Sequence, residues 1–97
     1  MDARVNVERI LGLEEGDAHV IRNAGAVVTD DVLRSLEVSR SLGTEEVVLL
    51  LHTDCAGRDG DLDAAARAAA AEIGGRVTGY VYDVEHGSLR RVETVGH

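Results

Sequence analysis

A run of five aliphatic residues, Val47 to Leu51, constrains the fold of this chain more than any other segment. A short apolar run of this kind is typical of a strand in a sheet. It is followed at once by His52-Thr53-Asp54-Cys55, so the strand delivers an imidazole and a thiol from one short loop. Imidazole and thiolate groups both bind zinc in proteins. In α/β folds, binding sites form at the carboxyl ends of the strands. The candidate chemistry therefore lies in this loop.

The other segments predict an alternation of helices and strands. Thr29 with Asp30 and Asp31 caps a helix that runs to Gly43, and alanine dominates a second helix that stops at Gly74-Gly75. This second helix is predicted from about Leu62 to Ile73, with Asp61 or Asp63 at its start, and its small side chains predict close packing. The remaining predicted elements are a short helix at Val7 to Leu11 between Asn6 and Gly12, a strand at Ala18 to Arg22, and a hairpin from Val77 through His86-Gly87 to Val95. The sequence predicts one α/β domain over residues 1–97, with a mostly parallel sheet flanked by helices and a C-terminal hairpin.

Composition narrows the class of protein. Of the 97 residues 44% are hydrophobic, but the only aromatic residues are Tyr80 and Tyr82, so the core must be aliphatic. We expect contacts with a partner subunit to add to the burial that such a core provides. We therefore expect a homodimer or a larger homo-oligomer. A net charge of -8 disfavours binding to nucleic acid or to anionic membranes. Neither a membrane-spanning run nor a signal peptide is recognisable, which predicts a cytoplasmic protein.

The single cysteine, Cys55, leaves three roles open. It is a metal ligand with His52, a reactive free thiol, or an intermolecular partner, and the histidine three residues earlier favours the ligand. An isolated pair with this spacing is more often a coincidence in a polar loop. Asp2 and Arg4, taken alone, are solvated charges near a chain terminus.

Several ordered segments resemble a beta-class carbonic anhydrase. They are residues 1–4, residues 12–25 with Asn23-Ala24-Gly25, residues 27–36, the His52-to-Cys55 loop, and residues 79–84 with 87–89 near the end. The resemblance implies an enzyme that interconverts carbon dioxide and bicarbonate by zinc-bound hydroxide, since zinc lowers the pKa of bound water to about 7.

The resemblance also implies roles for individual residues. His52 and Cys55 match the His-x-x-Cys motif of the family and would ligate Zn²⁺. Asp2 and Arg4 match the last two residues of its Cys-x-Asp-x-Arg motif, so Asp2 would accept a hydrogen bond from zinc-bound water or close onto the metal, while Arg4 holds Asp2 by a charge-assisted pair. Asp2, His52 and Cys55 then make three candidate ligands.

The sequence departs from the family pattern at its N-terminal end and after Cys55, where the segment that leads into the next helix is shorter than in the family. The cysteine of the first motif would precede Met1, and the family's first strand, which lies inside the sheet, is missing as well, so a gap or a re-pairing is expected. Three explanations stay open: a shortened variant, a chain completed by a partner that donates a strand and a ligand, or a non-catalytic assembly or regulatory module. A related activity on the sulfur analogues of carbon dioxide also stays open, because the family fold hosts such enzymes.

Overall fold

The computed structural model of the chain describes residues 3–53 and 61–93. Three helices and three strands lie within these ranges. They are α1 (Val7–Leu11), α2 (Asp30–Ser41), β1 (Glu46–His52), α3 (Leu62–Ile73), β2 (Arg76–Asp83) and β3 (Ser88–Val92). No helix in the described part of the chain is long and apolar enough to cross a bilayer.

The described strands form one mixed sheet in the order β1-β2-β3. β1 pairs with β2 in parallel, with Leu51 opposite Val81, and α3 makes the crossover between them. β2 and β3 form the predicted hairpin, whose turn is closed by the Asp83 carboxylate accepting hydrogen bonds from the backbone N–H groups of Glu85 and His86. The predicted end of the hairpin at Val95 lies outside the described residues. The α/β class is confirmed, but the described pairs are one parallel and one antiparallel rather than mostly parallel.

The predicted strand at Ala18 to Arg22 is wrong. These residues have no regular secondary structure and no ladder partner within the described chain. A cavity of about 1260 Å³ is lined both by this segment and by β1. Apolar residues alone do not make a strand, because the hydrogen-bonded ladder needs a neighbouring strand whose backbone lies about 4.8 Å away. Within residues 3–53 and 61–93, no strand therefore lies between this segment and β1.

The first two helices begin at their predicted caps, and of the two candidates for the third helix it is Asp61 that caps it. The side chains of Asn6, Thr29 and Asp61 accept hydrogen bonds from backbone N–H groups in the first turns of α1, α2 and α3, respectively. Gly12 ends α1 with a left-handed φ of 70°, which glycine adopts without steric cost. The sequence thus fixes where each helix starts.

Both longer helices pack on one face of the sheet. Leu51, Ala66, Val81 and Val92 form one buried cluster, and Ala66 of α3 is completely buried within it. A second cluster joins Ala70, Ile73 and Val77 to half-buried residues of α2, Leu33 and Leu36. The small alanine side chains let α3 approach the strands closely, as predicted. Tyr80 and Tyr82 lie on the other face of the sheet and are half-buried.

Candidate metal centre

His52 is the last residue of β1, at the carboxyl end where the site is predicted. It is only 8% exposed and stands opposite Tyr82 in the parallel ladder. Its Nδ1 atom lies 2.7 Å from the backbone oxygen of Thr53. A carbonyl oxygen can only accept, so Nδ1 carries the proton and the lone pair of the neutral ring is on Nε2. Histidine zinc ligands are commonly oriented by such a hydrogen bond from the other ring nitrogen.

Thr53 anchors the turn that follows β1. Its backbone N–H donates to the Tyr82 oxygen at 2.9 Å, and its Oγ1 accepts from the Val84 N–H at 3.1 Å. These bonds hold the carboxyl ends of β1 and β2 together and anchor the residue whose carbonyl orients His52. Sequence reasoning assigned Thr53 no role, although a hydroxyl residue directly after a strand is a usable signal for such an anchor.

The loop of residues 23–27 also reaches the carboxyl end of β1. The Asn23 side chain spans the loop, donating from Nδ2 to the Val27 oxygen at 2.8 Å and accepting from the Val27 N–H at 3.0 Å. Gly25 is buried with a φ of 79°, and Ala26 has a φ of 51°, a conformation that costs a non-glycine residue about 1 kcal/mol. Ala26 packs against the cluster that contains Leu51. The loop therefore packs against the buried cluster that includes Leu51, the residue before His52.

The N-terminal segment is tied to the same region. Arg22 donates from Nη1 to the Val5 carbonyl at 2.8 Å, and Val5 is only 7% exposed. Arg22 therefore ties residues 19–23 to the N-terminal segment. Arg4, next to Val5, is exposed.

Two predicted site residues, Asp2 and Cys55, lie outside the described residues. Among residues 3–53 and 61–93, no three His, Cys, Asp or Glu side chains come together in a way that could hold a metal ion. Of the predicted ligands, only His52 can therefore be placed, and the full set of ligands stays a prediction.

The other described histidines have different surroundings. His19 contacts the buried hydroxyl of Ser39 in α2, and this hydroxyl also lies 2.7 Å from Thr44 Oγ1. The three side chains therefore join the irregular segment at residues 19–23 to α2 and to the residues just before β1. His86 is exposed and lies 2.8 Å from Asp83, and its hydrogen bond holds the pKa of that carboxyl below its usual value. Neither was predicted as a ligand.

A family model described as carbonic anhydrase matches residues 1–75, which include the His52 loop and the Asn23 loop. That match decides the family. The chain belongs to the beta-carbonic anhydrases.

Individual relatives agree with this assignment. The chain is similar to beta-carbonic anhydrase 1 of Mycobacterium bovis, with 54% identity over 96% of this chain and 61% of the relative. It is 50% identical to a carbon disulfide hydrolase of Saccharolobus solfataricus over 57% of this chain and 28% of that protein. The chain thus spans less than two thirds of the length of these curated relatives.

A solved carbonic anhydrase from Streptococcus mutans has the same fold. The TM-score is 0.82 at 36% identity, over 96% of this chain and 77% of that one. The α/β architecture of this beta-carbonic anhydrase is therefore the one found in its solved relatives.

Proposed function

We propose that this chain carries out the zinc-dependent, reversible hydration of carbon dioxide to bicarbonate. The observation that carries the proposal is the state of His52: it is buried at the carboxyl end of β1, and the Thr53 carbonyl fixes its proton on Nδ1. In a member of this family, that arrangement suits a zinc ligand. The long match to a beta-carbonic anhydrase favours carbon dioxide over carbon disulfide, for which the named relative matches only 57% of the chain.

The donor chemistry of the chain fits zinc. His52 would bind through Nε2, and Cys55 and Asp2 would supply a thiolate and a carboxylate, which are both established zinc ligand types. Arg4 would hold the Asp2 carboxylate by a charge-assisted hydrogen bond. Bound zinc supplies the acidity that turns water into a nucleophile for carbon dioxide near neutral pH.

The described residues hold and orient this site. The Thr53 carbonyl keeps the His52 ring in one tautomer and one orientation. Thr53 is itself anchored by its N–H to the Tyr82 oxygen in β2 and by its hydroxyl to the Val84 N–H just after β2. The Asn23 loop covers the same end of β1 with backbone groups and the Ala26 methyl group. A rigid donor lowers the cost of binding a metal, because little conformational freedom is lost. We also propose that the enzyme acts in the cytoplasm as a homodimer or larger homo-oligomer.

Zinc content and activity, measured on one purified sample, test the proposal. We expect stoichiometric zinc by elemental analysis, together with carbon dioxide hydration that a chelator abolishes and added zinc restores. Absence of both zinc and hydration would contradict the proposal and would identify a non-catalytic module that keeps the family fold.

A further inference from the structure

The turn between β2 and β3 is built around one half-buried carboxylate. Asp83 Oδ1 accepts hydrogen bonds from the backbone N–H groups of Glu85 at 2.9 Å and His86 at 3.1 Å. The Asp83 carbonyl accepts from the Gly87 N–H at 2.8 Å and closes the turn. A short acidic side chain that bonds to N–H groups two and three residues later holds the backbone in a turn. The conformation of residues 83–87 therefore depends on Asp83.

The same turn reaches the residue that follows β1. The Val84 N–H donates to Thr53 Oγ1 at 3.1 Å, and the Thr53 N–H donates to the Tyr82 oxygen at 2.9 Å. Asp83 lies between Tyr82 and Val84 in the chain, so it joins the two groups that hold Thr53. Thr53 is thus anchored through its backbone nitrogen and through its side chain.

These two anchors act on the carbonyl group of Thr53. The positions of N, Cα and Cβ in an L-residue set the position of the carbonyl carbon, because the bond angles at Cα are nearly fixed. The carbonyl oxygen then keeps one free torsion, the ψ angle of Thr53. That oxygen lies 2.7 Å from Nδ1 of His52. Anchoring Thr53 therefore leaves fewer torsions to be fixed when this contact forms, which lowers its entropic cost.

We propose that Asp83 is a positioning residue for His52. It holds the turn that aims the Val84 N–H at the Thr53 hydroxyl, and the anchored Thr53 presents its carbonyl to Nδ1 of the buried ring. The ring proton then stays on Nδ1 and the lone pair on Nε2. The inference rests on the proposed function in one respect, that Nε2 of His52 binds zinc. Partners that orient a ligating histidine typically change metal affinity by about 10–100-fold when they are removed.

A role confined to the hairpin predicts a different result. Asp83 would then stabilise the pairing of β2 with β3, and its loss would weaken the fold without changing the His52 ring. The ion pair between Asp63 and Arg90 provides a matched comparison, because it joins α3 to β3 through two side-chain bonds of 2.8 Å. Asp63→Asn therefore weakens the same sheet without removing an anchor of Thr53.

The tautomer of His52 in the metal-free full chain tests the inference. With ¹⁵N-labelled histidine, the NMR shifts of the two ring nitrogens report which one carries the proton. The measurement is made at about pH 8.5, above the ordinary imidazole pKa of about 6.5, and a His52→Ala spectrum assigns the signals. We expect the proton on Nδ1 in the parent chain and loss of that preference in Asp83→Ala.

Conservative variants separate positioning from general damage to the fold. Asp83→Asn keeps a side-chain oxygen that accepts from the turn, so we expect it to keep the parent tautomer. Asp63→Asn should keep it as well. In competition with a chromogenic chelator, the zinc dissociation constant should rise about tenfold in Asp83→Ala and stay at the parent value in Asp83→Asn.

Two outcomes would overturn the inference. One is an unchanged His52 tautomer in a folded Asp83→Ala chain. The other is an equal loss of the tautomer in Asp63→Asn, because general destabilisation would then be sufficient. A parent chain that binds no zinc would instead overturn the proposed function, and the tautomers of the metal-free variants would still decide whether Asp83 positions His52.

Discussion

The Nδ1 atom of His52 donates a hydrogen bond to the Thr53 carbonyl 2.7 Å away, and this one contact determines what the ring can bind. With the proton on Nδ1, the neutral ring presents its lone pair from Nε2. Thr53 is itself held by its N–H to Tyr82 of β2 and by its hydroxyl to the Val84 N–H in the following turn. A backbone constraint thus sets the chemistry of a side chain.

Replacing His52 should abolish stoichiometric zinc. His52→Ala removes a neutral nitrogen ligand, so we expect zinc per chain to fall to background after dialysis, as measured by elemental analysis. His86→Ala is the matched control, because His86 is exposed and contacts Asp83. Unchanged zinc in a His52→Ala, Cys55→Ser double variant would refute the assigned ligands.

Replacing Thr53 by Val should weaken the fold at the site. The variant keeps the β-branched shape but removes the oxygen that accepts from the Val84 N–H. Loss of such a bond costs about 1 kcal/mol of unfolding free energy. Urea denaturation should show this loss for Thr53→Val and almost none for Thr53→Ser, which retains the hydroxyl. Equal stability of all three proteins would mean that the bond contributes nothing.

Enlarging Ala66 should destabilise the chain much more than enlarging Ala68. Ala66 is fully buried between α3 and the sheet, whereas Ala68 is exposed on the same helix. Ala66→Leu forces the helix away from Leu51 and Val81 and should cost about 1–3 kcal/mol. Ala68→Leu should change stability by less than about 0.5 kcal/mol. Thermal or urea unfolding of the pair gives the comparison directly, and similar losses would contradict the described packing.

The ion pair between Asp63 and Arg90 should make stability depend on pH. Two hydrogen bonds of 2.8 Å join these side chains, and the Arg90 hydrogen bond holds the pKa of Asp63 below its ordinary value of 3.8. A lowered carboxyl pKa contributes stability above the unfolded pKa, and this contribution is lost as the pH falls through the folded pKa. Asp63→Asn should therefore destabilise the chain at about pH 6 but have little effect once the pH lies below the folded pKa of the Asp63 carboxyl.

The measurement is the urea denaturation of the parent chain and of Asp63→Asn at a series of pH values from about 6 downwards. Glu72→Gln, at an exposed position near the other end of α3, serves as the control for a lost surface charge. If the difference between the parent chain and Asp63→Asn grows as the pH falls, the sign of this argument is wrong.

Local signals in the sequence were sufficient for most elements. Asn6, Thr29 and Asp61 each mark a helix start, because a side-chain oxygen that accepts from the first turn acts within three residues. The aliphatic run at Val47 to Leu51 and the turn at His86-Gly87 likewise predict β1 and the hairpin. Each of these features depends on residues that are close together in the sequence, so each can be predicted without knowledge of the tertiary structure.

Features that depend on distant partners were missed. The residues from Ala18 to Arg22 have strand-like apolarity, but strand formation needs a second edge that the described chain does not place beside them. The Thr53 hydroxyl accepts from a residue 31 positions away, which spacing alone does not show. For the candidate site, the position of His52 at the end of β1 was predicted and is confirmed, whereas Asp2 and Cys55 stay predictions.

The parallel pairing of β1 with β2 has a consequence for synthesis. Each β1 residue pairs with one about thirty positions later, whereas β3 pairs with β2 across a local turn. At about 5–20 residues per second, β1 leaves the ribosome some 2–6 s before its partner. During that interval the five aliphatic residues of β1 have no strand to pair with, whereas β3 can meet β2 as soon as the turn between them has formed.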